Sequence, residues 1–362
     1  MTQHTPQHSA AFTCILNPAR IVFGAGKRGD VAAELDRLGV TRALVLSTSF
    51  QKADADALAE TLGDKAAGVF ANATMHTPVE VTETAMSAYV AAGADGVIAL
   101  GGGSTIGLGK AIAYRNDCPQ LVVATTYAGS EVTPILGQTE NGVKTTVRAA
   151  SILPETVIYD PELTLGLPVG MSVTSGLNAM AHAVEGVYAQ DRNPIASMMA
   201  IEGVRALRDA LPVIAKTPAD AVARGDALYG AWLCGTVLGA VGMALHHKLC
   251  HVLGGSFDLP HAETHSVMLP HTAAYNAGAA KEALQPLADL FGGDLGVGLW
   301  QFAKDLGAPM SLRDLGLEET DLDRAADIAV KNPYWNPRPV ERDATRALLG
   351  RAWEGAPPES GT

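Results

Sequence analysis

Short apolar runs alternate with helical segments in the first part of the chain. Runs of four or five apolar residues rich in β-branched side chains predict strands, and a periodicity near 3.6 predicts helices. The predicted strands are 19–23, 43–47, 69–72, 96–100, 121–125 and 156–159, and the predicted helices between them are 30–38, 79–92 and 106–113. Strand, helix and strand at this spacing predict a parallel sheet with helices on both faces.

Helical periodicity dominates after residue 161. The predicted helices are 173–190, 194–211, 218–253, 264–279, 281–291 and 297–306. Thr217 and Pro218 predict the start of the third helix, whose length predicts an interruption within it. We therefore expect an α/β N-terminal domain, 1–161, with a parallel Rossmann-like sheet, followed by an all-α C-terminal domain, 162–362. A cleft between two such domains is a favoured ligand site.

The composition argues against two kinds of partner. Lys and Arg number 26 and Asp and Glu number 38, so the net charge is −12, and aromatic residues make up only 5%. Such a chain repels a phosphate backbone and has few side chains to stack on bases, so we expect no nucleic acid partner. The longest apolar stretch, 231–245, contains three glycines and is too short to span a membrane, which predicts a buried core helix.

The cysteines and the N-terminus indicate the compartment. None of the four cysteines (Cys14, Cys118, Cys234 and Cys250) forms a C-x-x-C pair. We expect buried, reduced thiols in a cytoplasmic protein. Residues 1–13 have neither the basic nor the apolar region of a signal peptide.

Two glycine-rich segments follow predicted strands. The first, GAGKRG at 24–29, matches G-x-G-x-x-G, but a dinucleotide fingerprint also needs an acid about 20 residues further on. Ser-Thr-Ser at 47–49 stands there instead, which favours a simple turn. The second, GGGST at 101–105, follows an apolar strand and opens a helix, so its backbone amides are suited to hold a phosphate. Ser104 and Thr105 are candidates to cap that helix or to bind the phosphate.

Histidines cluster in the helical half. Asn178 and His182 are four residues apart, as are His247 and His251, so each pair shares one helix face. His261 follows, and then His265 and His271. This spacing suits metal ligation, proton transfer or both. Lys248 adjoins the cluster on a different helix face from His247, which predicts a solvated side chain.

These motifs together resemble the iron-containing (group III) alcohol dehydrogenase family of the dehydroquinate synthase-like superfamily. The matching segments are FGAG at 23–26, GGGST at 101–105, TTYAGSEVT at 125–133, DPEL at 160–163, SGLNAMAHAVEG at 175–186 and HHKLCHVLGGSFDLPH at 246–261. The resemblance covers about residues 12–350 and implies the dehydroquinate synthase-like fold. Within the family, NPYWNPRP at 332–339 is similar to the maleylacetate reductases.

The resemblance implies a nicotinamide cofactor. The pyrophosphate-binding positions of the family are Gly101, Gly102, Gly103 and Ser104 here. Thr125 and Thr126 match residues that line the nicotinamide ribose, and Lys144 matches a lysine that approaches the ribose and phosphate. Thr48 stands where many members have an Asp that binds the adenosine ribose. A neutral residue removes repulsion of a 2′-phosphate, so we expect NADH or NADPH to be used.

The resemblance also assigns a metal position. The three histidine ligands of the family correspond to His182, His247 and His261, but its Asp ligand is replaced by Asn178. An amide brings no charge to a dication, and maleylacetate reductases are regarded as metal-free, so we expect no catalytic metal. Instead, histidines near a pKa of ~6.5 are expected to be partly charged at neutral pH and to face the substrate carboxylates.

The activity implied is the reduction of maleylacetate, a small dicarboxylate, to 3-oxoadipate during the bacterial breakdown of aromatic compounds. The candidate catalytic residues are His182, His247, His251, His261, Tyr334 as proton donor and Arg338 as carboxylate ligand. The resemblance suggests a homodimer. The alternatives are a metal-dependent (iron or zinc) alcohol dehydrogenase, a lyase resembling dehydroquinate synthase, and a non-catalytic nucleotide-binding protein.

Overall fold

A six-stranded parallel sheet forms the core of the first half of the chain. The computed structural model describes residues 12–17, 19–140 and 143–359, and of residues 143 and 144 only the backbone. The strands are β1 (Arg20–Phe23), β2 (Ala43–Leu46), β3 (Ala66–Phe70), β4 (Gly96–Gly101), β5 (Gln120–Ala124), β6 (Ile135–Glu140), β7 (Val143–Arg148) and β8 (Thr156–Tyr159). The sheet order is β1-β8-β5-β4-β2-β3, and β6 and β7 form a separate antiparallel hairpin.

Helices surround this sheet and make up the second half. They are α1 (Val31–Leu38), α2 (Lys52–Leu62), α3 (Val79–Ala91), α4 (Gly103–Asn116), α5 (Val169–Gly186), α6 (Pro194–Lys216), α7 (Ala221–Ala240), α8 (Leu245–Phe257), α9 (His261–Ala277), α10 (Lys281–Leu290), α11 (Leu295–Asp305), α12 (Leu322–Val330) and α13 (Arg342–Glu354). Within the described residues, no strand follows β8. The expected fold class, a parallel α/β part followed by an all-helical part, is therefore confirmed.

Helices cover both faces of the sheet because its central strands are apolar on both sides. Helices α1 and α2 pack on one face, where Val45, Ile98 and Val123 are buried. Helices α3 and α4 pack on the other face. From β2 the chain continues to β3 at one edge of the sheet. From β4 it continues in the opposite direction, through β5 to β8. This reversal opens a crevice at the carboxyl ends of β2 and β4, the usual ligand position in such sheets.

The helical half packs directly on the sheet. One apolar cluster combines Val122 and Val157 of the sheet with Leu177 of α5 and Leu207 of α6. The loop after β5 also touches α7, since a Cβ added to Gly235 would lie 2.1 Å from the carbonyl oxygen of Gly129. We propose that the domain boundary lies near residue 161, within this packed arrangement.

Several local predictions were wrong or incomplete. The sequence analysis missed α2, α12, α13 and the β6–β7 hairpin. The interruption expected within 218–253 lies between α7 and α8, which are bent by 95° relative to each other. Thr217 does not begin α7, because Asp220 accepts hydrogen bonds from the amides of Val222 and Ala223 and is the N-cap.

The membrane and thiol expectations can be compared with the described residues. No single described helix is long and apolar enough to cross a bilayer, and α7 with α8 meets that test only as a bent pair. The stretch expected to form one core helix, 231–245, is divided between α7, a short connection and α8. All four cysteines are free of disulfides, and Cys118, Cys234 and Cys250 are buried.

Candidate active site

The glycine loop after β4 lies at the sheet crevice and begins α4. Gly102 is the N-cap residue, so the helix starts at Gly103 rather than at 106. A Cβ on Gly102 would lie 2.6 Å from Thr126, whereas one on Gly103 would meet no atom within 4 Å. The loop is thus packed against Thr126 at Gly102 and has open space at Gly103, as a loop that binds a phosphate must have. Side chains do not cap the helix, and the hydroxyl of Thr105 is buried without a hydrogen-bond partner.

The GAGKRG segment is already occupied by a carboxylate of the chain itself. The amides of Gly26 and Arg28 donate to the two oxygens of Asp160, at 3.1 and 3.0 Å. Asp160 is fully buried. These amides therefore serve a structural turn, which supports the choice of the GGGST loop.

Other expected cofactor positions surround the same crevice. Ser47 directly follows β2 and is buried, and Thr48 after it is partly exposed. Gln51 donates to the hydroxyl of Thr125 at 3.1 Å and so links the ends of β2 and β5. Lys144 lies on β7 opposite Thr139, but its side chain is outside the described residues.

A buried chain of hydrogen bonds connects α5 with α8. His182 Nδ1 lies 2.9 Å from His247 Nε2, and His247 Nδ1 lies 2.7 Å from a carboxylate oxygen of Glu185. Glu185 also accepts from the amides of Ala244 and His246, at 2.8 and 2.6 Å. On the other side, His182 Nε2 is 3.3 Å from the carbonyl of Ala128, in the loop after Thr125 and Thr126. The histidines therefore contact the loop expected to line the nicotinamide.

The sequence analysis missed Glu185 and His246. Glu185 follows His182 by three residues, so both lie on one face of α5. A carboxylate inside an otherwise apolar helix was the available signal, since a buried charge needs partners. His246 Nε2 lies 2.8 Å from Nδ1 of His265, which the sequence analysis only noted.

Burial sets the protonation of the cluster. Desolvation, together with the neighbouring His247, holds the pKa of His182 well below its ordinary 6.5. Desolvation likewise lowers the pKa of His246 and of His265. The expectation of partial charge at neutral pH is therefore wrong for His182, because burial favours the neutral ring.

A more exposed pair lies at the edge of the cluster. The Tyr334 hydroxyl lies 3.0 Å from Nδ1 of His251, and the Lys248 ammonium is 5.6 Å from the Tyr334 ring centroid. Lys248 therefore faces this pair rather than solvent alone. Desolvation and the carboxylate of Glu185 raise the pKa of Tyr334, which keeps the phenol protonated at neutral pH. His261, also partly exposed, stacks edge-on against His265.

Arg338 contacts a different part of the helical half. Its guanidinium lies 4.0 Å from the Tyr275 ring centroid and donates to the carbonyl of Tyr275 at 3.2 Å. It lines a cavity together with His271 and Arg351. His271 is six residues beyond His265 on α9, about 9 Å along the helix. The described contacts of Arg338 therefore do not join it to His182, His247 or His251.

Sequence comparison agrees with this arrangement along nearly the whole chain. The profile of the iron-containing alcohol dehydrogenases matches residues 18–161, and that of the C-terminal region of the Fe-containing alcohol dehydrogenase family matches residues 172–353. The chain belongs to the iron-containing alcohol dehydrogenase family. It is 69% identical to the maleylacetate reductase of Rhizobium sp. (strain MTP-10005), over 94% of this chain and 97% of that protein.

Two further relatives carry the same name. The maleylacetate reductase of Burkholderia cepacia is 57% identical over 94% of this chain and 97% of its own. The crystal structure of maleylacetate reductase from Agrobacterium tumefaciens superimposes with a TM-score of 0.93 at 68% identity, and the match covers 96% of this chain and 100% of that one.

The family name implies iron, but the residues present do not fit it. The Asp ligand is Asn178, whose Oδ1 is buried without a hydrogen-bond partner. His182 and His247 direct ring nitrogens at each other, and their other nitrogens face Ala128 and Glu185. Each ring nitrogen of these two histidines therefore already has a hydrogen-bond partner, and the donor set lacks an anion to compensate a dication.

Proposed function

We propose that this protein reduces maleylacetate to 3-oxoadipate with NADH or NADPH, without a catalytic metal, in the degradation of aromatic compounds. The observation that carries the proposal is the His251–Tyr334 hydrogen bond. It attaches the NPYWNPRP segment, which resembles maleylacetate reductases, to the helix that bears the histidines. The similarity of nearly the whole chain to proteins named maleylacetate reductase supports the same substrate.

The reaction needs a hydride and a proton. A bound nicotinamide supplies the hydride, which adds to the double-bond carbon farther from the ketone. Negative charge then develops on the ketone oxygen, and the other carbon of the former double bond takes a proton. The open front of Gly103 and the threonines after β5 would hold the cofactor with its nicotinamide toward the histidines.

The chain supplies the proton and stabilises the enolate. Tyr334 is protonated at neutral pH and shares a hydrogen bond with His251, so it is suited to donate a proton and to be recharged through the imidazole. Glu185 holds His247 in place, and His247 in turn contacts His182. We assign the partly exposed His251 and His261 to hydrogen-bonding the enolate oxygen.

Lys248 is the cation we assign to a substrate carboxylate. Its ammonium lies beside Tyr334, whereas Arg338, the expected ligand, is bonded to Tyr275. A dianion needs positive charge, and the buried neutral histidine His182 does not provide it. Lys248 therefore takes the role that the sequence had given to Arg338.

We further propose a cytoplasmic homodimer. Four cysteines free of disulfides are consistent with a reducing compartment. The edge strand β1 and the segment before it expose Phe12, Ile15, Leu16 and Phe23, which a second copy of the chain would cover. Sedimentation velocity tests the oligomeric state.

The decisive experiment follows NADH absorbance with maleylacetate, with and without EDTA. We expect full consumption of one NADH per maleylacetate in both cases. If EDTA abolishes maleylacetate turnover and added iron or zinc restores it, the metal-free mechanism is wrong and the metal-dependent alternative is favoured. Product formation without net NADH loss would identify the lyase.

A further inference from the structure

His246, Cys250 and His265 form a buried triad of metal-binding side chains beside the histidines of the candidate site. Their donor atoms all lie within 4.8 Å of one another. His246 Nε2 is 3.6 Å from Cys250 Sγ and 2.8 Å from His265 Nδ1. Bonds of about 2.1 Å to nitrogen and 2.3 Å to sulfur place the two ligand atoms of a tetrahedral zinc site ~3.5 Å apart. The nitrogen–sulfur separation already matches that value.

The hydrogen bonds of His246 direct a lone pair toward Cys250 and His265. Thr272 Oγ1 donates to the carbonyl of Met268 at 3.0 Å, so it accepts from Nδ1–H of His246, which is also 3.0 Å away. The proton of the neutral ring is then on Nδ1, and Nε2 is left as a donor atom for a metal. Histidine ligands of zinc are usually oriented by a second hydrogen bond of this kind.

No second hydrogen bond opposes a small rotation of the His265 ring. In the hydrogen-bonded arrangement its Nδ1–H donates to His246, and its Nε2 is buried without a hydrogen-bond partner. A small rotation of this ring can therefore widen the nitrogen–nitrogen separation from 2.8 Å toward the ~3.4 Å of a tetrahedral site without breaking another hydrogen bond. The Nδ1 proton moves to Nε2 when the metal takes its place.

The charge of the triad also suits a dication better than the charge of the residues at the family's iron position. Asn178 brings no charge to the iron position, whereas Cys250 can bind as a thiolate. A thiolate with two imidazoles is a softer donor set than the oxygen and nitrogen ligands of the family, and it favours zinc over iron. We propose that His246, Cys250 and His265 bind one zinc ion at a site distinct from the family's iron position. Binding releases one proton, from the Cys250 thiol, and leaves the fourth position to water.

Cobalt(II) tests the proposal because it reports directly on sulfur ligation. The full-length protein is dialysed against a chelator, kept reduced, and titrated with Co²⁺ and separately with Zn²⁺ in competition with a coloured indicator. We expect one equivalent of Co²⁺ to produce a thiolate-to-cobalt charge-transfer band in the near ultraviolet and one equivalent of Zn²⁺ to abolish it. The band cannot come from the iron position of the family, whose residues here contain no thiol.

Matched variants locate the site. Cys250→Ser should remove the band and weaken zinc binding by ~100-fold or more, since even the loss of an outer-shell partner costs about 10–100-fold. Thr272→Val should weaken it by ~10-fold, and Cys234→Ser, at a buried thiol on α7, should change nothing. Absence of the band in the wild type, its persistence in Cys250→Ser, or cobalt bound with no sulfur signature would each overturn the proposal. Maleylacetate reduction is measured separately, so its failure would not be confused with failure of the zinc site.

Discussion

The hydroxyl of Tyr334 lies 3.0 Å from Nδ1 of His251, although 83 positions separate the two residues in the chain. The contact joins the loop before α13 to the exposed side of α8. It places a phenol that stays protonated at neutral pH beside a partly exposed imidazole. A proton donor and the group that reloads it are thereby assembled from two distant segments.

Replacing Tyr334 by Phe should mainly slow turnover. Loss of a positioned proton donor lowers kcat by about 100-fold or more, while the KM for maleylacetate changes little because Lys248 and the histidines remain. Steady-state kinetics at several pH values measure both constants. Trp335→Phe at the adjacent exposed position is the control. Equal losses in the two variants would show that the loop, and not the phenol, is responsible.

Gly103→Ala should weaken cofactor binding without weakening the fold. The added methyl group enters open space in front of the loop, where a phosphate would lie, so we expect the KM for NADH to rise at least ~10-fold with unchanged urea unfolding. Gly102→Val should raise it further and also destabilise the protein, since its Cβ would lie 2.6 Å from Thr126. Gly26→Val should strain its turn, at a φ of +75°, but leave the KM unchanged. The opposite pattern would assign the pyrophosphate to GAGKRG.

Thr48→Asp should shift cofactor choice toward NADH. A carboxylate at the end of β2 would accept a hydrogen bond from the adenosine ribose and repel the 2′-phosphate of NADPH. About 1.4 kcal/mol of repulsion suffices for a tenfold change in the ratio of kcat/KM for the two cofactors. The ratio is measured with both cofactors at saturating maleylacetate. If it does not move, Thr48 lies outside the ribose site.

Asn178→Asp should create metal affinity and reduce maleylacetate turnover. The carboxylate restores the anionic ligand of the family and adds a negative charge near a dianionic substrate. The test is made in the Cys250→Ser background, so that metal in the triad of His246, Cys250 and His265 is not counted. Mass spectrometry of metal content and NADH consumption are compared with the Cys250→Ser parent. Stoichiometric, activity-supporting metal in that parent would contradict the proposed metal-free reaction.

His271 should make the protein lose stability as the pH falls. Burial and the nearby Arg351 lower its pKa from 6.5 to about 4, so below pH 6.5 the unfolded chain binds a proton that the folded protein does not. This group alone should cost about 2 kcal/mol between pH 7 and pH 5. Urea unfolding of wild type and His271→Gln at both pH values isolates the difference. Parallel losses in the two proteins would exclude His271 as the cause.

The sheet was predictable because its central strands are short apolar runs bounded by turns. Helix α2 was missed because its sequence, KADADALAETL, buries only Ala55 and Leu62. The hairpin was missed because strand residues such as Gln138 and Thr139 are polar and only partly buried, so neither alternation nor an apolar run marks them. Single-sequence patterns report burial, and these elements bury little.

The histidine site was predictable in composition but not in pairing. Spacing of four residues correctly placed Asn178 with His182, and His247 with His251, on common faces. It could not show that His247 pairs with His182 while His251 pairs with Tyr334, because those partners are set by the packing of different elements. Arg338 was expected to bind a substrate carboxylate, but its neighbour Asn336 is hydrogen-bonded to Asn276 on α9, and Arg338 itself contacts Tyr275 there.

The backbone contact between Gly129 and Gly235 leaves no gap between the loop after β5 and helix α7. The carbonyl of Ala128 is also bonded to His182. Residues 127–133 are also tied to the sheet half, because Tyr159 of β8 donates to Glu131 at 2.6 Å and the buried Lys110 of α4 donates to the Thr133 hydroxyl at 2.9 Å. This loop therefore fastens the histidine-bearing helices to the sheet, and any movement of one half relative to the other would have to break its bonds to His182 or to Tyr159.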